Sequence, residues 1–268
     1  MHLQCALLGL VQGITEFLPV SSSGHLVIAQ DLLGWSDPAL SFNVMLHLST
    51  MAATLLFFRK EVTGIAREWF SGLLSTRDRG LPGWRYGWSV ILGTLVTVFF
   101  ALLSRPLVEA LFSSPLFTGF ALLVTGLVLR YGSRIVPRDL PVSLSSGVKV
   151  GLAQGLSILP GISRSGMTIV TGLRCGLSPR EAFTFSFLLS LPAILGATIL
   201  EVVKAGGITG VVTSLPAGWW IGMAAGFASG LLALGILRRA VVRGRLDFFA
   251  VYCIAAGLFV VGLNMIGG

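Results

Sequence analysis

Two polar stretches hold most of the side chains in this chain that could do chemistry away from a surface loop. The first, QGITEFLPVSSSGH, runs from Gln12 to His25; the second, QGLSILPGISRSGMT, runs from Gln154 to Thr168. Of eleven acidic residues only Glu16 sits well inside an apolar segment, and among the basic residues only Arg164 does. An ionisable group in hydrocarbon is expensive and is usually kept for function. Together the two charges are nearly neutral and can still attract a third partner. The bland alternative is a salt bridge that only pins two parts of the chain together.

The neighbours of these charges favour phosphate chemistry. Ser163, Arg164, Ser165 and Gly166 form a Gly/Ser-rich turn in which backbone N–H groups and hydroxyls converge. Such turns hold phosphate oxygens, and an arginine adds a bidentate fork. The first stretch sets Ser21, Ser22, Ser23 and His25 behind Glu16. A hydroxyl within reach of histidine is the minimum for nucleophilic catalysis, and histidine suits proton movement near neutral pH. Serine runs in membrane loops are commonly backbone caps, so at least one of the three serines is read as structural. His47 lies in an apolar stretch without a motif and reads as a satisfied buried residue.

These residues must be positioned by membrane helices. The 268 residues are 54% hydrophobic and only 11% charged, with a mean hydropathy of +0.88, whereas soluble domains carry about 25% charged residues. The 34 glycines fit an integral membrane protein, because Gly lets helices pack closely in lipid. A net charge of +8 could indicate a nucleic-acid partner. Here, however, the Arg and Lys residues fall in short loops, and no nucleic acid is expected. Cys5, Cys175 and Cys253 have no metal or disulfide spacing and read as packing residues. No basic n-region precedes the first apolar stretch, so no cleavable signal peptide is expected.

Six stretches can span a core that needs about 20 apolar residues: 40–58, 86–104, 115–130, 182–203, 217–237 and 247–266. The stretches 4–33 and 146–176 are apolar at their edges but broken by Gly, Pro and Ser. Each is expected to enter the membrane, turn at its motif and leave on the same side. The region 61–83 reads as a surface-lying amphipathic segment and loop. Gln12-Gly13 matches Gln154-Gly155, Ser21-x-Ser23-Gly24 matches Ser163-x-Ser165-Gly166 at the same offset, and Ala53-Thr54-Leu55-Leu56 echoes Ala197-Thr198-Ile199-Leu200. The fold expected is an all-α integral membrane protein with six transmembrane helices and two re-entrant helix-loop-helix segments. It forms a single domain over 1–268, made of two repeats, about 1–135 and 146–268. Three spans per repeat is an odd number, so the second repeat is inserted upside down relative to the first.

Loop charge agrees with that topology. One side holds Arg59, Lys60, Arg67, Arg77, Arg79 and Arg85, then Arg130, Arg134, Arg138 and Lys149, then Arg238, Arg239, Arg243 and Arg245. The other side holds only Arg105 with Glu109, and Lys204 near Glu201. The basic side is therefore expected to be cytoplasmic. The first broken loop then dips from outside and the second from the cytoplasm, and their tips can meet near the midplane.

The two motifs resemble those of the bacitracin-resistance type undecaprenyl-diphosphate phosphatase family. That family has a (Glu/Gln)-x-x-x-Glu element followed by a Ser-rich turn and His, which here is Gln12 to Glu16 with Ser21 to His25. Its second element, Pro-Gly-x-Ser-Arg-Ser-x-x-Thr, is here Pro160 to Thr168. The match covers both motifs, their order and the whole chain length. The resemblance implies removal of the terminal phosphate of undecaprenyl diphosphate, a long-chain isoprenoid lipid, which regenerates the carrier for cell-wall synthesis and confers bacitracin resistance. It further implies a divalent cation, Mg²⁺ or Ca²⁺, and a site in the bacterial inner membrane open to the periplasmic face; it leaves a homodimer open. Carried over residue by residue, Glu16 would bind metal or act as a base. His25 would shuttle a proton or attack phosphorus, with Ser22 the alternative nucleophile. Ser163 and Arg164 would grip the diphosphate, and Ser23, Ser165, Gly166 and Thr168 join them as phosphate-binding candidates. Many members carry Glu where this chain has Gln12, so Gln12 could ligate the metal only as a neutral amide. The rival reading is a polyprenyl-phosphate flippase or ion-coupled transporter, because inverted repeats with broken loops also mark secondary transporters.

Overall fold

Residues 1–35, 40–112 and 114–267 are described by a computed structural model. Every regular element among them is helical. The order is α1 (His2–Phe17), α2 (Ser22–Leu32), α3 (Leu40–Phe57), α4 (Arg59–Leu74), a short 3₁₀ turn (Thr76–Gly80), α5 (Pro82–Phe112), α6 (Pro115–Gly132), α7 (Leu144–Leu156), α8 (Arg164–Arg174), α9 (Pro179–Lys204), α10 (Ile208–Thr213), α11 (Trp219–Val242) and α12 (Asp247–Gly267). Among the described residues five helices are long and apolar enough to cross a membrane: Pro82–Ser104 of α5, α6, α9, α11 and Asp247–Met265 of α12. The sixth expected span is α3, which passes that test together with α4 across a 78° bend. The chain is a multi-pass, all-α membrane protein.

The motif stretches 4–33 and 146–176 are each broken into two short helices. At 1.5 Å per residue, α1 with 16 residues and α8 with 11 are shorter than the roughly 30 Å core. Within each stretch the two helices pack on one another, α1 on α2 and α7 on α8. The segment expected to lie on the surface is α4 with its 3₁₀ turn; Glu68 accepts the Gly83 N–H there, and Arg79 stacks on Trp84. The side chains of Arg105 and Glu109, read as part of a loop, lie outside the described residues, and their backbone continues α5.

Helix pairs occur in matched sets. Helix α1 packs on α11 as α7 packs on α5, α3 on α11 as α9 on α5, and α6 on α12 and α3 on α9 join the two halves. Glycines make the closest approaches. A Cβ on Gly9 would overlap the Gly222 carbonyl, and one on Gly151 would overlap that of Gly93. Without water to drive apolar association, small residues let helix backbones touch and gain dispersion energy. Beneath the motif loops, Phe17 and Phe183 pack on Phe187, with ring centroids 5.6 and 4.9 Å away.

Candidate functional site

Helix α1 stops at Phe17 because Leu18 precedes Pro19, whose ring disfavours helical geometry at the residue before it; Leu18 is extended, at φ −62° and ψ 142°. Three residues later Ser21 takes φ +67°, a left-handed conformation uncommon outside glycine, and α2 starts at Ser22. The second stretch breaks at Pro160-Gly161, with Gly161 at φ +87°. A Cβ there would press on the Thr118 carbonyl of α6, at 2.5 Å. Ser163 then caps α8, its Oγ accepting the Gly166 N–H at 3.2 Å. Its own N–H donates to Thr125 Oγ1, which in turn donates to the Gly161 carbonyl. Helix α6 thereby holds the second loop in place.

The two loops meet at Glu16. Its Oε1 accepts from an Arg164 guanidinium nitrogen at 2.5 Å, and its Oε2 accepts from Ser22 Oγ at 2.8 Å and Gln12 Nε2 at 3.1 Å. Ser22 and Arg164 are the first residues of α2 and α8, so the matched positions of the two motifs reach for one carboxylate. The Ser21 and Ser23 hydroxyls lie 3.4 Å apart, as do those of Ser163 and Ser165. Pro19 touches the Cα side of Gly166, where an added Cβ would come within 3.3 Å. The Arg164 guanidinium also lies 5.7 Å above the Phe187 ring. Two buried polar atoms have no hydrogen-bond partner here, Arg164 Nη1 and Gln12 Oε1. Buried polar groups are normally satisfied, so each such exception calls for an explanation.

Several expected residues are placed otherwise. His25 does not bond to Ser22 or Glu16. Its Nδ1 meets the Ser21 carbonyl at 2.8 Å and its Nε2 meets the Tyr252 hydroxyl of α12 at 2.6 Å. A carbonyl can only accept, so in the neutral imidazole Nδ1 carries the hydrogen and Nε2 accepts from Tyr252. Thr168, expected to bind phosphate, is fully buried between α8 and α9, bonded to the Arg164 carbonyl and to Ser186 Oγ. Ser165 is likewise buried, while Ser163 is committed to its cap.

His47 was missed. It is not a closed-off core residue: its side chain is 39% exposed, and Nδ1 lies 3.6 Å from Glu16 Oε2 and 3.0 Å from Gln12 Nε2. An amide nitrogen only donates, so His47 accepts through Nδ1 and carries its hydrogen on Nε2. Nothing near His47 in sequence signals this, because the contact depends on α3 packing beside α1. Tyr252 was missed for the same reason. Cys5 and Cys253 are buried and free; Cys253 Sγ donates to the Pro19 carbonyl of the first loop.

Residues 5–259 match the family model described as Bacitracin resistance protein BacA. The chain is 41% identical over 271 residues to an undecaprenyl-diphosphatase of Thermomicrobium roseum, with 95% of each chain covered. It is 40% identical over 265 residues to one of Desulfosudis oleivorans, covering 95% and 96%, and 34% identical over 278 residues to one of Methanosphaera stadtmanae, covering 98% of both.

Proposed function

The chain belongs to the BacA family and hydrolyses undecaprenyl diphosphate to undecaprenyl phosphate and inorganic phosphate, and we propose that the Glu16–Arg164 contact between its two loops is the catalytic centre. The naming of these relatives as diphosphatases selects the hydrolase over the transporter reading. The observation that carries the site assignment is the half-used guanidinium. Arg164 spends one nitrogen on Glu16, while its buried Nη1 has no partner. A phosphate oxygen satisfies that donor, and the first-turn N–H groups of α8 add positive potential beside it.

The reaction then follows from the bonds around Glu16. The Ser22 hydroxyl already donates to Glu16 Oε2, so Glu16 is placed to take its proton as the oxygen attacks the terminal phosphorus. The new Ser22 O–P bond forms as the bridging P–O bond breaks. The bond electrons leave on the oxygen of undecaprenyl phosphate, and water then cleaves the phosphoserine to free phosphate. Arg164 stabilises charge on the equatorial oxygens, the main source of catalysis in phosphoryl transfer. His47, beside the same carboxylate, and His25, held by Tyr252, are the groups available to move protons. The isoprenoid tail lies along exposed apolar helix faces within the bilayer, where close packing contact rather than removal from water holds it.

A divalent cation, Mg²⁺ or Ca²⁺, fits this oxygen set. Gln12 Oε1 is buried and unsatisfied, and Glu16 supplies a carboxylate next to it. No three His, Cys, Asp or Glu side chains among the described residues gather to hold a metal unaided. The cation would take its remaining ligands from diphosphate oxygens and water, as Mg²⁺ commonly does, and would neutralise phosphate charge. We place the protein in the bacterial cytoplasmic membrane with the basic loops inside and the site open to the outer face; the loop-charge bias supports this.

Phosphate release from undecaprenyl diphosphate by purified protein in detergent tests the assignment. Ser22→Ala should lower kcat by at least about a hundredfold, and acid-quenched wild-type protein should carry phosphate on Ser22. Near wild-type turnover by Ser22→Ala would remove Ser22 from the chemistry and leave water as the attacking group. EDTA should abolish release, and Mg²⁺ or Ca²⁺ should restore it.

A further inference from the structure

A second cavity, of about 510 Å³, lies at the ends of the spans, where α3 and α11 finish and α9 begins. Its walls include Phe57, Arg180, Arg238, Arg239, Val242 and Arg243. Four arginines thus line one hollow with no carboxylate in its lining, and none of the four forms an ion pair among the described residues. Other basic loop residues do have partners: Arg130 faces Asp247, and Arg79 donates to the Gly72 carbonyl. Arg180 stands between this hollow and the adjoining cavity, whose lining includes Glu61, Glu68, Asp139 and Glu181.

The general preference for arginine on one side of a membrane does not explain this convergence. Arg239 and Arg243 stand at the C-terminal end of α11, where the helix dipole welcomes cations. Arg180 stands in the first turn of α9, where the dipole opposes them. On its α11 side it meets three further arginines in a hollow that no carboxylate of the chain lines, which leaves that side open to an anion from outside. A track of apolar residues leads to that spot. Leu232 and Ile236 are exposed on α11 at the spacing that continues through Arg239 and Arg243, so all four share one face of the helix. Val242 is exposed beside them. An apolar strip ending in a cluster of guanidinium forks has the shape of a phospholipid with its chains along the helix and its phosphate at the membrane interface.

We propose that this arginine-lined cavity binds the phosphodiester headgroup of an anionic membrane lipid, whose acyl chains lie along α11. The site is separate from the Glu16–Arg164 centre and does not rest on the mechanism proposed for it.

Thermal unfolding of the full-length protein in neutral detergent tests this, with phosphatidylglycerol, phosphatidylcholine or inorganic phosphate added. Phosphatidylglycerol should raise Tm and bind at least about tenfold more tightly than phosphatidylcholine. Each Arg→Gln change among R238Q, R239Q and R243Q should weaken it about fivefold, while phosphate release in lipid-free detergent stays within about twofold of wild type. Equal effects of the two lipids would overturn the proposal, as would retention of the phosphatidylglycerol shift by the triple variant. An equal shift from inorganic phosphate would also overturn it, because the cavity would then be a free-anion site. Should the triple variant lose phosphate release, and so its fold, R180Q at the exposed start of α9 carries the same comparison.

Discussion

Glu16 and Arg164 are worth separating into what they hold together and what they catalyse. The Glu16 and Arg164 side chains are 7% and 18% exposed, so removing one partner leaves the other charge in a site with little water. Such a loss costs about 3–5 kcal/mol, whereas removing both charges together costs far less. Arg164→Gln alone should therefore lower Tm, and Glu16→Gln with Arg164→Gln should recover most of it while phosphate release stays at least about a hundredfold down. Recovery of activity along with stability would reduce the pair to a structural pin. His25 offers a second residue-scale test. Its anchors are the Ser21 carbonyl and the Tyr252 hydroxyl. Ser21→Gly keeps the carbonyl and relieves the left-handed φ of about 1 kcal/mol, so turnover should persist. Tyr252→Phe frees the ring's Nε2 and should lower kcat about tenfold with little change in KM, measured on the same lipid substrate.

The motif loops are placed by helices pressed together at glycine. Helix α1 carries Gln12 and Glu16 on the face toward α3 and the loops, and it can approach α11 only because Gly9 and Gly13 have no side chain. Gly9→Val would drive a branched side chain into the Gly222 carbonyl, and Gly151→Val would do the same at Gly93. Each should destabilise by at least about 1–3 kcal/mol, read as a fall in Tm and a poor yield of folded protein from detergent. Gly24→Ala is the contrast, since its nearest neighbour would be Thr118 Cγ2 at 3.8 Å; its Tm should stay near wild type. The helix breaks themselves were legible in sequence, because Pro19 amid the serines and the Pro160-Gly161 pair disfavour a continuous helix. The continuation of α5 through Pro106 was not, because a proline near the end of a helix can be accommodated when its neighbours satisfy the freed carbonyl.

For the whole molecule, the expectation is that the two halves insert with opposite sense. In a background lacking the native cysteines, Arg77→Cys and Arg243→Cys should react with an impermeant maleimide only from the cytoplasmic side. Gly206→Cys, in the exposed turn after α9, should react only from the other. Labelling of all three from one side would dismiss the odd number of spans per repeat. The chemistry of the two expected repeats is unequal. The position that is Arg164 in one loop is Ser22 in the other, and only the first half has a carboxylate at Glu16. The residue types, the broken stretches and the membrane class follow from sequence because they depend on local properties: transfer cost, proline geometry and the spacing of serines around glycine. Which side chains share the carboxylate does not follow. His47 joined it and His25 left it, and Thr168 went into the packing between helices. Those outcomes depend on how closely the helices approach one another, and that distance is set by backbone contact at glycines such as Gly9 against Gly222 and Gly151 against Gly93.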